Sequence, residues 1–195
     1  MMFSTMHPII EMLKGGDRRS IGRASDVVGR ILKEPDLFGL LISGMCLDDP
    51  ILRMRCADVA EKVTAIHPEY LLPHKNVFLT ALAKVDQAEV RWHVAPMLAR
   101  LPLSDLEQKE VAGILTVYLK DRSSIVKTAS VQALFDLAMR NRSLLPLALR
   151  HIKEVVVLGT PAMQARSRKL LAKINRLTAA STRSGLSAGA PESAG

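Results

Sequence analysis

The nine residues Arg23-Ala24-Ser25-Asp26-Val27-Val28-Gly29-Arg30-Ile31 align class for class with Arg55-Cys56-Ala57-Asp58-Val59-Ala60-Glu61-Lys62-Val63. The same frame recurs from His93, Ala129 and Arg166, so its anchors fall 32, 38, 36 and 37 residues apart. A repeat of that length cannot bury its apolar face alone and must stack on its neighbours. The period therefore predicts an all-α chain of five helical hairpins, each with a first helix, a tight turn and a second helix.

Counted from each anchor, three positions form the apolar columns. The fourth holds Val27, Val59, Met97, Ala133 and Leu170, and the fifth Val28, Ala60, Leu98, Leu134 and Leu171. The eighth holds Ile31, Val63, Leu101, Leu137 and Ile174. With the small residues one step after the anchor, these make the stripe of an amphipathic helix. Asp17, Asp49, Asp86, Asp121 and Thr160 precede the second helices and are expected to accept from first-turn N–H groups. Pro50 and Pro161 suit the first helical position, where a missing N–H costs nothing. First helices are expected over about 8–14, 36–47, 69–84, 104–119 and 143–157. Pro73 and Pro146 fall in matching places and should bend their helices, and Pro96 should bend the third second helix on its exposed side.

Several of these residues carry a family resemblance. Tyr70-Leu71-Leu72-Pro73, then Asp86, Val90-Arg91, Val94-Ala95 and Met97-Leu98, resemble the HEAT repeat. Asp49, Leu52-Arg53, Cys56-Ala57 and Val59-Ala60 match it in the second unit, whereas Val126-Lys127 and Met163-Gln164 keep less of it. The resemblance covers roughly 8–177 and implies a right-handed α-solenoid with the second helices on its concave side. It says little about function, because one fold hosts many roles. Residues 1–177 are thus read as one repeat domain. Residues 178–195, rich in Ser, Ala, Gly and Thr, bury too little apolar surface to offset their ordering entropy and are expected to form a disordered tail.

The net charge of +8 is unevenly placed. The first-helix segments carry −1 in all and the second-helix segments +9, so the resemblance implies a basic inner surface. On each second helix the positions 0, 3 and 7 from the anchor form an exposed stripe, which holds eight basic and three acidic residues. Such a ridge attracts phosphates or an acidic protein surface. It can also satisfy itself, since Arg23–Asp26–Arg30 and Arg55–Asp58–Lys62 have helical pairing distances. Arg53, Arg91 and Lys127 form a second basic column, which with Asp49, Asp86 and Asp121 can build a ladder between successive turns.

No reaction chemistry stands out. The five histidines have no metal-ligand spacing, Gly15-Gly16 lacks the Lys-Ser/Thr of a phosphate loop, and no cofactor is implied. Trp92 and His93 beside Arg91 and Arg100 offer a stacking and phosphate-gripping set. Cys56 shares a column with small residues and is expected to be buried, and two reduced thiols suit the cytoplasm. No run approaches the roughly 20 apolar residues that span a bilayer, so the chain reads as soluble.

The leading expectation is a non-catalytic scaffold that binds a partner protein with an acidic segment. Its contact residues would be Arg23, Arg55, Arg91, Trp92, His93, Arg100, Arg166, Lys169 and Lys173. The alternative is a nucleic-acid-binding solenoid akin to the HEAT-like alkylpurine DNA glycosylases, whose catalytic residues find no match here. A third reading docks the apolar run Leu37 to Leu47 on a membrane-bound complex.

Overall fold

The structure is a computed structural model that describes residues 7–15 and 22–187. Among these there are ten α-helices, joined by short 3-10 turns, and no strand. In chain order they are α1 (Pro8–Glu11), α2 (Ala24–Ile31), α3 (Phe38–Met45), α4 (Pro50–Ile66) and α5 (Lys75–Thr80). They continue with α6 (Ala88–Arg100), α7 (Asp105–Tyr118), α8 (Ser124–Arg140), α9 (Leu145–Leu158) and α10 (Pro161–Ser187). The even-numbered helices are those predicted from the anchors. Each packs on the next in order, and α3, α7 and α9 pack on α4, α8 and α10 respectively.

Burial follows the columns. The residues one, four and eight steps after the anchor are buried in all five units. At the fifth step Ala60, Leu98 and Leu134 are buried, whereas Val28 and Leu171, in the outermost units, are half-buried. At about 1.5–3 kcal/mol for each fully buried aliphatic side chain, these columns supply much of the cohesion. The buried residues form two clusters. A large one runs from Ile9 to Ala148. A smaller one of Val131, Phe135, Ile152, Leu170 and Ile174 fixes the last hairpin against α8. The α3 face of Phe38, Leu41, Ile42 and Met45 is buried too, so most of the apolar run Leu37 to Leu47 faces the core, with Leu37 and Leu40 half-buried and Leu47 exposed.

Helix starts follow the sequence signals in part. Asp49 accepts from the N–H groups of Ile51 and Leu52 at 2.9 and 3.0 Å, with Pro50 next to it. Thr160 Oγ1 accepts from Met163 N–H at 3.4 Å, ahead of Pro161. Elsewhere the cap is shifted. Gln87, without a side-chain bond, precedes α6, and Ser123 caps α8 by accepting from Val126 N–H at 3.4 Å. Asp121 instead holds the turn by accepting from Ser123 N–H at 2.8 Å. Asp17 lies outside the described residues.

Proline accounts for the largest departure among the first helices. The segment expected to be helical over 69–84 breaks into a 3-10 stretch (Pro68–His74), α5 and a second 3-10 turn (Leu82–Lys84). Pro68 and Pro73 lack the N–H that an α-helical turn needs, and the tighter 3-10 turn accommodates them. Pro146 sits in the first turn of α9, where it starts the helix and does not bend it. At the other end α10 remains helical through Ser187, ten residues into the segment expected to be a disordered tail. Its alanines favour a helix, and serine and threonine oppose one only weakly.

Candidate functional site

The second helices jointly wall a groove. Trp92, Pro96 and Arg100 of α6 face Ile125, Thr128, Ala129, Gln132 and Asp136 of α8, with Glu61 of α4 and Arg166 of α10 at its edges; it encloses about 370 Å³. It continues past Gln132 and Arg166 into a second hollow of about 440 Å³ against Lys169, Lys173 and Arg176 of α10. One wall is thus mixed aromatic and polar, and the other carries four cations over the apolar Leu170 and Ala172.

The nine residues predicted as contacts divide sharply between ligand-accessible and internally committed positions. Arg166, Lys169 and Lys173 are exposed on α10. Arg166 Nε donates to Gln132 Oε1 at 3.1 Å, and Lys173 Nζ lies 5.3 Å from the centroid of the Phe135 ring. Arg176, one helical step beyond Lys173, extends the same ridge and was missed only because the stripe was counted no further. Among the described residues none of these four makes an ion pair. Arg23 is exposed as well, but it donates to Asp26 at 2.9 Å.

The inner cations are structural. Arg55, expected on the exposed stripe, is only 1% exposed. Its Nη1 donates to the carbonyl of Leu13 at 2.8 Å and to that of Gly15, so the guanidinium closes the turn that follows α1. The anchor position borders the apolar columns, and the carbonyls of Leu13 and Gly15 supply the acceptors that a buried guanidinium needs. Gly22 makes room: a Cβ there would meet Arg55 Nη1 at 3.1 Å, and its φ of +56° is one that glycine adopts freely.

Arg91 does not face Trp92 and His93. It donates to Asp121 Oδ2 at 2.7 Å and through Nε to Val85 O at 2.9 Å, pairs with Asp86 at 3.0 Å, and lies over the Tyr118 ring at 5.2 Å. Among the described residues it is the one rung of the expected ladder that joins a unit's helix to the next unit's turn: Arg53 lies 3.9 Å from Asp48 of its own turn and makes no ion pair with Asp86, and Lys127 makes none. Arg100 likewise reaches back to α4, donating to Glu61 Oε1 at 2.6 Å, to Glu61 O at 3.1 Å and to Thr64 Oγ1 at 3.3 Å.

His93 is largely withdrawn from solvent, with Nε2 3.9 Å from Asp58 Oδ1. Burial holds its imidazole below the usual histidine range, although Asp58 and Glu61 pull the other way. Trp92 packs edge-on against His93 at 5.7 Å and is half-buried against the core. The stacking set imagined from Arg91, Trp92, His93 and Arg100 is therefore dispersed. Of the four, Trp92 and Arg100 line the groove.

Asp136 is the groove's one half-buried carboxylate besides Glu61. Burial raises it above the usual aspartate range, against the Gln132 amide, which donates to it at 2.8 Å, and the charges of Lys173, Arg100 and Arg166. Among the described residues, no three His, Cys, Asp or Glu side chains are grouped to hold a metal ion. No described helix is long and apolar enough to cross a membrane. The geometry offers a mixed apolar and polar channel ending in a cationic wall, a surface suited to holding an extended anionic chain. In comparison with known proteins, no family model matches this chain, and no curated protein matches it.

Proposed function

We propose that the chain is a right-handed HEAT-type solenoid whose work is binding: it holds an acidic segment of a partner protein in the groove between α6, α8 and α10, without catalysis. The ordered packing of α2, α4, α6, α8 and α10 supports the solenoid reading. The observation that carries the binding reading is the row Arg166, Lys169, Lys173 and Arg176. These exposed cations lie at helical spacing, with no ion pair of their own, against a groove that offers Trp92, Pro96 and Ile125 as apolar contacts. Like charges so arranged repel one another and are relieved by an incoming anion.

Trp92 is the chain's only tryptophan and serves as a built-in reporter. A Glu-rich peptide carrying one leucine should change its fluorescence on titration, and R166E/K169E/K173E should abolish the change. The same ridge also suits nucleic-acid phosphates, so single-stranded and duplex DNA belong in the same titration. Tight DNA binding with a steep salt slope would favour that second reading. If neither peptide nor DNA moves the Trp92 signal at low salt, the groove is not a binding site for anionic chains.

A further inference from the structure

A second cavity, of about 370 Å³, lies where the turn before α8 meets the turn before α10, and it shares no lining residue with the groove. The repeat explains its chemistry. Arg91 reaches the next unit's turn and finds Asp121 there, at 2.7 Å. Lys127 occupies the same repeat position one unit later, but two residues before the cap, where Asp121 precedes Ser123, the turn that follows it has Leu158 before Thr160 and so supplies no acid.

Lys120 and Arg122 line the same cavity, and among the described residues none of the three cations makes an ion pair. Asp121 does not serve them. Its Oδ2 accepts from Arg91 and its Oδ1 from Ser123 N–H, and Lys127 reaches it only through its charge. The one carboxylate in the wall, Glu154, lies 3.2 Å from His151 Nδ1. The other ring nitrogen of His151, Nε2, is buried with no hydrogen-bond partner. Leu119, Val155, Leu158 and Met163 make the apolar part of the wall, and Thr116, Ser124 and Thr160 add hydroxyls.

We propose that this cavity binds a small-molecule phosphomonoester with an apolar or aromatic arm, its phosphate standing beside Lys127 where the ladder carboxylate is missing. A phosphomonoester carries a charge of about −1.5 to −2 at neutral pH, which balances three cations against one carboxylate. Its oxygens suit the guanidinium fork of Arg122 and the ammonium groups of Lys120 and Lys127. Ser124 opens α8 at the cavity, so the positive end of that helix adds to the field. The arm would cover Leu158, which is 77% exposed.

Phenyl phosphate titrated into the full chain by calorimetry tests this, with inorganic phosphate as the anion alone and benzyl alcohol as the arm alone. Phenyl phosphate should bind at least about tenfold tighter than either, because charge and apolar contact are both needed. K127A should weaken it about tenfold or more, and R166A, on the other surface, should leave it unchanged. T160D places a carboxylate in the cavity wall and keeps a helix-capping side chain, so it should abolish phosphate binding without lowering the melting temperature. Phenyl phosphate binding that survives T160D or K127A unchanged would overturn the proposal, as would no binding by the folded wild-type chain.

Discussion

Replacing Arg91 with alanine tests whether one guanidinium holds the third and fourth hairpins together. Asp86 is 90% exposed and contributes little through its ion pair. The weight falls on Asp121, whose side chain is 9% exposed, and on the Val85 carbonyl. A charge-assisted hydrogen bond of this kind is worth about 1.5–3 kcal/mol and a neutral one about 1. The contact with the Tyr118 ring adds about 0.5–1 kcal/mol. R91A should therefore cost about 3–5 kcal/mol, which for a chain of this size lowers the melting temperature by roughly 10–15 °C. In a double-mutant cycle with D121N, urea denaturation should return a coupling of about 1.5–3 kcal/mol. Acid should reproduce the loss. Burial raises Asp121, but the Ser123 N–H and Arg91 outweigh it and hold the carboxyl below its usual range. The folded state then binds fewer protons than the unfolded one. The pair's contribution is thus complete above the unfolded value near ~3.9 and fades as pH falls through the lower folded value. A loss below about 1 kcal/mol in R91A, or strict additivity with D121N, would show that the ladder does not bind the two units.

Other substitutions probe separate contacts. At Gly44 an added Cβ would lie 2.5 Å from Cys56 Sγ, so G44A should cost about 1–3 kcal/mol by overpacking, and C56A should recover part of it in the double mutant by urea denaturation. Burial pushes the Cys56 thiol up to about 12, so a maleimide should label Cys46 in the native chain and leave Cys56 intact until unfolding. Ser104 and Glu107 form a reciprocal cap on α7, so S104A should lose about 1 kcal/mol in thermal melts. His93 should titrate below an ordinary histidine by NMR. Because its neutral form is favoured on folding, stability should decline as pH drops through the unfolded value near ~6.5, and H93Q should flatten that slope.

The apolar columns were legible because burial on a helix follows a fixed angular period, and Val27, Val59 and Met97 are buried for that reason alone. The destination of long cations was not. Arg55 and Arg100 share the stripe with Lys169, yet they turn to carbonyls and carboxylates that other units supply. Periodicity gives the direction of a Cβ, not the end of a guanidinium some 6 Å further on. The contrast between Asp121 and Leu158 in the turns was visible as letters. Its meaning as a gap in an electrostatic ladder required knowing that Arg91 reaches forward to Asp121.

The division of the interior into two clusters has a mechanical consequence. Apart from Ala148, which ties α9 to the larger cluster, the α9–α10 pair is held to α8 by the small cluster of Val131, Phe135, Ile152, Leu170 and Ile174, so it should open as its own cooperative unit before α4 or α6 loosens. Its cationic ridge therefore sits on a hairpin that a small cluster clamps to α8. A bound anionic chain bridging α10 to α6 would act as a brace across that seam, and amide exchange in α9 and α10 would slow far more than in α4.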